Sequence, residues 1–210
     1  MTRYEIKQNA KAALGSGIFQ NRWLMAVLAI FICSAVTAAA GSVLPAIGGV
    51  LISGPMQYGL HKMFLKQSRD YETMQIGDLF KGFSDDFGGT FLLGLMSGIY
   101  VFLFSLLLIV PGIIMSYAYS MAFYIKADHP EYGWRQCLEE SKSMTYGHKW
   151  ELFMLDLSFI GWNIVAALCL GVGCIWVNAW QNASKAELYN FLSGYVPEIT
   201  MAEEENADAE

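Results

Sequence analysis

The sequence predicts an all-α fold, a polytopic transmembrane helical bundle of about six helices arranged as three hairpins. Three observations carry this reading. Trp23–Leu60 and Phe87–Ile125, runs of 38 and 39 residues, contain no charged residue, and Leu152–Ser184 contains only Asp156. The basic residues fall in groups of four around these windows: Arg3, Lys7, Lys11, Arg22; Lys62, Lys66, Arg69, Lys81; and Lys126, Arg135, Lys142, Lys149. Each window is interrupted near its middle by uncharged Gly or Pro: Gly41 with Pro45-Ala46-Ile47-Gly48-Gly49, Pro111-Gly112, and Gly171-Val172-Gly173.

At a rise of about 1.5 Å per residue, a straight helix through the first window would measure about 57 Å, against a hydrocarbon core of roughly 30 Å. Each of the first two windows therefore holds two spans, or a span and a re-entrant segment. The composition agrees: 55% of residues are hydrophobic and 15% charged, where soluble domains carry about 25% charged residues. Basic flanks and uncharged turns place the clusters and the N-terminus in the cytoplasm and the turns outside.

The expected spans run near 23–44, 46–65, 89–110, 112–127, 152–170 and 173–192. The first could be mistaken for a secretory signal, since Ala38-Ala39-Ala40 follows an apolar run. Its basic region is long and the apolar stretch continues past that site, so a retained span is expected. The sixth helix is polar after Trp180, with Gln181, Asn182, Lys185 and Glu187: it either spans as the polar-faced member of the bundle or lies along the interface, and a single long fifth span over 152–177 would put the tail outside. Residues 1–196 form the membrane domain. Glu198, Glu203, Glu204, Glu205, Asp208 and Glu210 account for the whole net charge of −6, and 197–210 is expected to be a disordered acidic tail.

Two cytoplasmic segments show amphipathic patterns. Asp128-His129-Pro130-Glu131 has the composition of a helix start. The helix expected near 130–145 lines up Trp134, Cys137, Leu138, Ser141 and Met144 on one stripe, suited to the membrane interface or the bundle's inner face. Ile76, Leu79, Phe80 and Phe83 form a shorter version.

Several blocks carry a family resemblance: Gly54-Pro55-Met56-Gln57-Tyr58-Gly59-Leu60, Leu79-Phe80-Lys81-Gly82-Phe83, the stretch PGIIMSYAYSMAFYIKAD at Pro111–Asp128, and SKSMTYGHKWELFMLDLSFIGW at Ser141–Trp162. Over about residues 3–192 the chain resembles bacterial integral membrane proteins labelled domain-of-unknown-function family 975. It departs from their pattern at Ala179-Trp180, where Pro-Tyr is expected, and at Leu188, where Phe is usual. The resemblance implies a multi-span protein of the bacterial cytoplasmic membrane and brings no activity, substrate or catalytic residue with it.

The candidate functional residues are few. Pro55 with Gly54 lies in the middle of the second span, where a broken helix can bind substrate or ion and Gln57 could add an amide. A Pro kink satisfied by neighbouring helices is the plainer reading. Asp156 is the sole acid within an expected span, and such acids are functional suspects. Close to its helix start, it also suits an ion pair with Lys149 or Lys126. Gly94 and Gly98, and Gly112, Ser116 and Ser120, form small faces for helix packing or self-association. Tyr117, Tyr119, Tyr124, Trp150, Trp162, Trp176 and Trp180 fit interfacial aromatic belts.

His61, His129 and His148 are isolated, and the four cysteines show no ligand spacing. No catalytic residue, metal or cofactor is expected. Partners are the lipid bilayer and other membrane proteins or a second copy; nucleic acid is not expected, because the basic residues form no continuous face. The expected function is a structural or regulatory membrane component, and the alternative is a small permease or ion pathway. A water-accessible cavity reaching both Asp156 and Pro55 would favour the alternative.

Overall fold

In a computed structural model, the described residues are 3–14, 21–43, 48–70, 75–168 and 173–195. The acidic tail and the expected turn residues 45–47 and 171–172 lie outside them. Every element among the described residues is a helix: α1 (Arg3–Leu14), α2 (Asn21–Val43), α3 (Gly48–Asp70), α4 (Ile76–Leu79), α5 (Lys81–Ser84), α6 (Phe87–Leu107), α7 (Ile109–Ala118), α8 (Ala122–Asp128), α9 (Trp134–Met144), α10 (Lys149–Leu168) and α11 (Gly173–Ser193).

Helices adjacent in sequence fold back on each other in three pairs, α2 on α3, α6 on α7 and α10 on α11. Small residues sit where the pairs meet: Gly49 faces Gly41, Gly112 abuts Ser105, and Gly173 abuts Ala166. The middle pair turns at Leu108, three residues before the expected Pro111-Gly112, with Leu108 fully extended between the helices. Pro111 instead occupies the first turn of α7, where its missing N–H costs nothing.

α3 is the hub. It runs unbroken through Pro55 and continues five residues past the expected end at 65. Gly54 lies against the backbone of Thr90 and Phe91, and Gly94 lies against Gly54, so α3 and α6 cross with backbones in contact. The Gly94 end of the GxxxG pair therefore serves packing within the chain. Gly59 abuts the Leu79 backbone and Gly82 abuts Pro55, which seats the α4–α5 segment flat along α3. Gly59 permits that approach, since a Cβ there would collide with the Leu79 backbone. In α4–α5 only Leu79 of the expected apolar stripe is buried, while Phe80 and Phe83 are exposed, because Phe80 separates two single turns.

The expected fourth span is divided. α7 stops at Ala118, three residues turn, and α8 carries Ala122, Phe123, Tyr124, Ile125 and Lys126 into the core. Ser141 of α9 secures the break: its hydroxyl donates to the Ala118 carbonyl at 2.8 Å and accepts from the Met121 N–H at 3.2 Å. No Gly or Pro marks this site. The partner that satisfies the freed backbone groups comes from twenty residues away, as buried peptide groups require.

α9 begins at Trp134 and not near 130, and Asp128 ends α8. The Asp128 carboxylate is engaged with Arg69 at 2.5 and 2.8 Å, so it does not cap a following turn. The apolar stripe of α9 is as expected: Cys137, Leu138 and Ser141 are buried, and Trp134 and Met144 pack on the core. The stripe faces the bundle, against α6 and α8.

The N-terminal residues form α1, which the sequence pattern did not single out as a helix. Ile6, Ala10, Ala13 and Leu14 are buried, the spacing of one helical face, and α1 packs against α11. The expected sixth helix is a full member of the core, burying Ala179, Ala183, Ala186, Leu188, Tyr189 and Asn190. The aromatic set divides accordingly. Trp150 and Trp162 are exposed, whereas Tyr124 is fully buried against Tyr189, and Trp180 packs on Phe159 while donating to the Lys7 carbonyl at 3.1 Å.

Candidate functional site

Charge in the described region is organised as pairs between helices. Lys62 of α3 meets Asp85 at 2.8 Å. Asp78 of α4 lies between Lys66, at 3.3 Å, and Lys81. Arg69 holds Asp128 through both terminal nitrogens and donates from Nε to Asn190 at 3.0 Å. Tyr189 adds a hydroxyl to Asp128 at 3.0 Å. Lys126 reaches Asp86 at 2.8 Å and also donates to the carbonyls of Pro130 and Tyr132. Basic residues that the sequence presented as topology signals are thus also the fasteners that tie α3, α6, α8 and α11 together.

These contacts set the acids' protonation. Lys126 and the Gly89 N–H hold Asp86 below the usual carboxylate range against the opposing effect of burial. The Lys62 ammonium does the same for Asp85. Burial works against ionisation of Asp128, and the Arg69 guanidinium outweighs it, so its pKa is also lowered. Carboxylates held ionised in this way are poor proton donors at neutral pH. Burial pushes the Cys137 thiol up to about 11, which leaves it a packing residue and no nucleophile.

Asp156 is paired, but with different partners from those expected. Lys185 Nζ lies at 3.2 Å, the Gln181 amide donates at 2.7 Å, and Tyr117 adjoins the same carboxylate. Both principal partners come from α11, whose polar face is thereby explained. Lys126 is engaged with Asp86 instead.

Pro55 is buried under Gly82, and its carbonyl faces that glycine. Gln57 lines a groove of about 620 Å³ between α3, α6 and α7. Its walls include Ser53, Gly98, Phe102 and Ser116, with His61 and Phe123 also on the lining. His61 Nδ1 donates to the Gln57 carbonyl at 2.6 Å. Neither Pro55 nor Asp156 lines this groove, so the structure does not bring the three candidate residues to one cavity. A second, polar cavity of about 480 Å³ opens beside Arg69, Asp128, Glu140 and Tyr189, and a third of about 340 Å³ lies between α9 and Tyr100 and Tyr119.

Among the described residues, no group of three or more His, Cys, Asp or Glu is placed to hold a metal ion. The sequence reading missed the Lys126–Asp86 and Arg69–Asp128 pairs. A usable signal existed for the first: Lys126 abuts the end of a 39-residue uncharged run, and a cation entering a core demands an acid.

The fold is all-helical, and among the described residues two helices, residues 22–42 and 87–107, are long and apolar enough to cross a membrane. Residues 106–195, from the end of α6 through α11, match the model of a family described as "Protein of unknown function (DUF975)". This supports the resemblance read from the sequence, over a little under half of the chain. No curated protein and no solved structure matches.

Proposed function

We propose that this chain is a multi-span integral membrane protein of the bacterial plasma membrane, with a cytoplasmic N-terminus, acting without catalysis as a structural or regulatory membrane component. The observation that carries the reading is the surface of α6–α7. Phe102, Leu106, Leu107, Leu108 and Val110 are 65–74% exposed, along with Leu103, Ile113 and Ile114, and this contiguous apolar patch marks a membrane or protein contact. Only 11% of the α2 and α6 apolar windows is buried, the reverse of a helix at the centre of a soluble core. The charged pairs lie toward the other end of α6, beginning at Asp86. Engagement of the acids in ion pairs supports a structural role for them.

The reading is tested with single cysteines in a background whose native cysteines are replaced. An impermeant maleimide is expected to label Leu108→Cys from outside intact cells, and Gln75→Cys and Glu140→Cys only after permeabilisation. Labelling of Glu140→Cys in intact cells would overturn the hairpin assignment. Release of the chain by alkaline carbonate would overturn membrane integration. Stoichiometric co-purification of another membrane protein is expected of a regulatory component; proton-coupled or substrate-coupled flux in vesicles of the pure chain would favour the permease reading.

A further inference from the structure

Lys62, Lys66, Arg69, Lys81, Lys126 and Lys185 all have acidic partners. Arg135 and Lys142, exposed on α9, have no ion pair among the described residues. Both line the cavity of about 340 Å³ that Tyr100, Tyr119, Trp134 and Leu138 close. The Arg135 guanidinium lies over the Trp134 ring, 5.0 Å from its centroid, which fixes the cation at the rim. The two cations are two helical turns apart, about 10 Å along α9. Glu139 on the same wall leaves one net positive charge there.

Tyr100 is also the start of a track. Leu103, Phe104 and Leu107 follow it at helical spacing on α6, all three exposed. A cationic, aromatic-lined cavity therefore runs directly into an unbroken apolar stripe. A free anion would use the first feature only; a molecule with a charged head and a hydrocarbon tail uses both.

We propose that this cavity is a binding site for an anionic phospholipid, its phosphate held between Arg135 and Lys142 and its acyl chain laid along Tyr100, Leu103 and Leu107. The proposal rests on the membrane reading above and adds a headgroup preference to it. It also adjoins the α7–α8 break that Ser141 secures, since Tyr119 of that turn and Trp134 and Leu138 of the α9 stripe line the same cavity. Binding to the folded form alone then raises stability by mass action.

The test uses the full chain in nanodiscs of phosphatidylcholine, with and without phosphatidylglycerol. Phosphatidylglycerol is expected to raise the unfolding midpoint by roughly 3–5 °C in the wild type and in Lys11→Gln, an exposed cation on α1. Arg135→Gln with Lys142→Gln is expected to lose most of that shift; if the pair lowers the baseline stability, Arg135→Gln alone decides the same question. An equal shift in the double variant would overturn the site in favour of general surface charge. An equal shift from inorganic phosphate in phosphatidylcholine discs would overturn the lipid as ligand. Failure of the chain to enter nanodiscs at all would overturn the membrane reading itself.

Discussion

Two lysine–aspartate pairs that tie helices together differ in what they teach. In the Lys126–Asp86 pair the cation is buried, its side chain 2% exposed, and the acid is partly open at 42%. In the Lys185–Asp156 pair both side chains are about a quarter exposed or less, at 25% and 21%. Asp156 announces itself in the sequence as a lone acid in an apolar run. Lys126, the deeper charge, reads as one more flanking cation because it stands at the edge of such a run. Depth is decided by what packs around a residue. α8 turns Lys126 inward, beneath the loop whose carbonyls at Pro130 and Tyr132 complete its shell.

Substitution of Lys126 should separate the two pairs most clearly. Lys126→Met removes the ammonium, leaving two carbonyls without their donor and Asp86 with only the Gly89 N–H. Asp86 is 42% exposed, so water takes up its charge, and the cost is that of the unsatisfied acceptors, on the order of 1–3 kcal/mol; thermal unfolding in detergent is expected to show a loss of that size. Hydrogen exchange should rise in residues 129–134 ahead of the rest of the chain. A loss below about 1 kcal/mol would mean that the pair behaves as a surface pair.

Acid probes the same pair from its other partner. The folded pKa of Asp86 is depressed, so its stabilising contribution is complete above its unfolded value and disappears as pH falls through the lower folded value. Wild-type stability should therefore drop on acidification from about pH 5 to about pH 3. Asp86→Asn should show a shallower drop over the same window, starting from lower stability. An identical slope in wild type and variant would show that Lys126 does not govern this acid.

At Asp156 the expected change is modest. Asp156→Asn retains an oxygen to accept from Gln181 and loses only the charge that faces Lys185. A decrease of about 1 kcal/mol follows for a partly exposed, hydrogen-bonded pair, read by the same detergent unfolding. A stable variant that abolished a measurable ion flux in vesicles would instead make Asp156 a relay.

Much of the helical plan was legible because the apolar runs are long. α2, α6 and α10 fall on the first halves of the three apolar windows, and the stripe on α9 was readable as a helical period down to Cys137, Leu138 and Ser141. The α6–α7 turn was displaced by three residues because Pro111 is as comfortable in the first turn of a helix as in the loop before it. The division of α7 from α8 carried no local mark, since the groups that satisfy it belong to Ser141. Of the candidate residues, Asp156 was expected to pair with Lys149 or Lys126, the nearer choices in sequence, and Lys185 became the partner only when α11 packed on α10.

Local composition was enough to establish that this is an all-helical chain, where most of its helices lie, and that its charges are kept away from its apolar runs. Periodicity and desolvation act on neighbouring residues, so a linear reading captures them. Which cation meets which acid emerged only from the packed helices. So did the close backbone contacts served by Gly54, Gly59 and Gly82, and the absence, among the described residues, of acidic partners for Arg135 and Lys142 beside an apolar track. Each of these depends on groups brought together from distant segments, and the energy of a buried charge or a backbone contact is fixed by its partner, which no local pattern specifies.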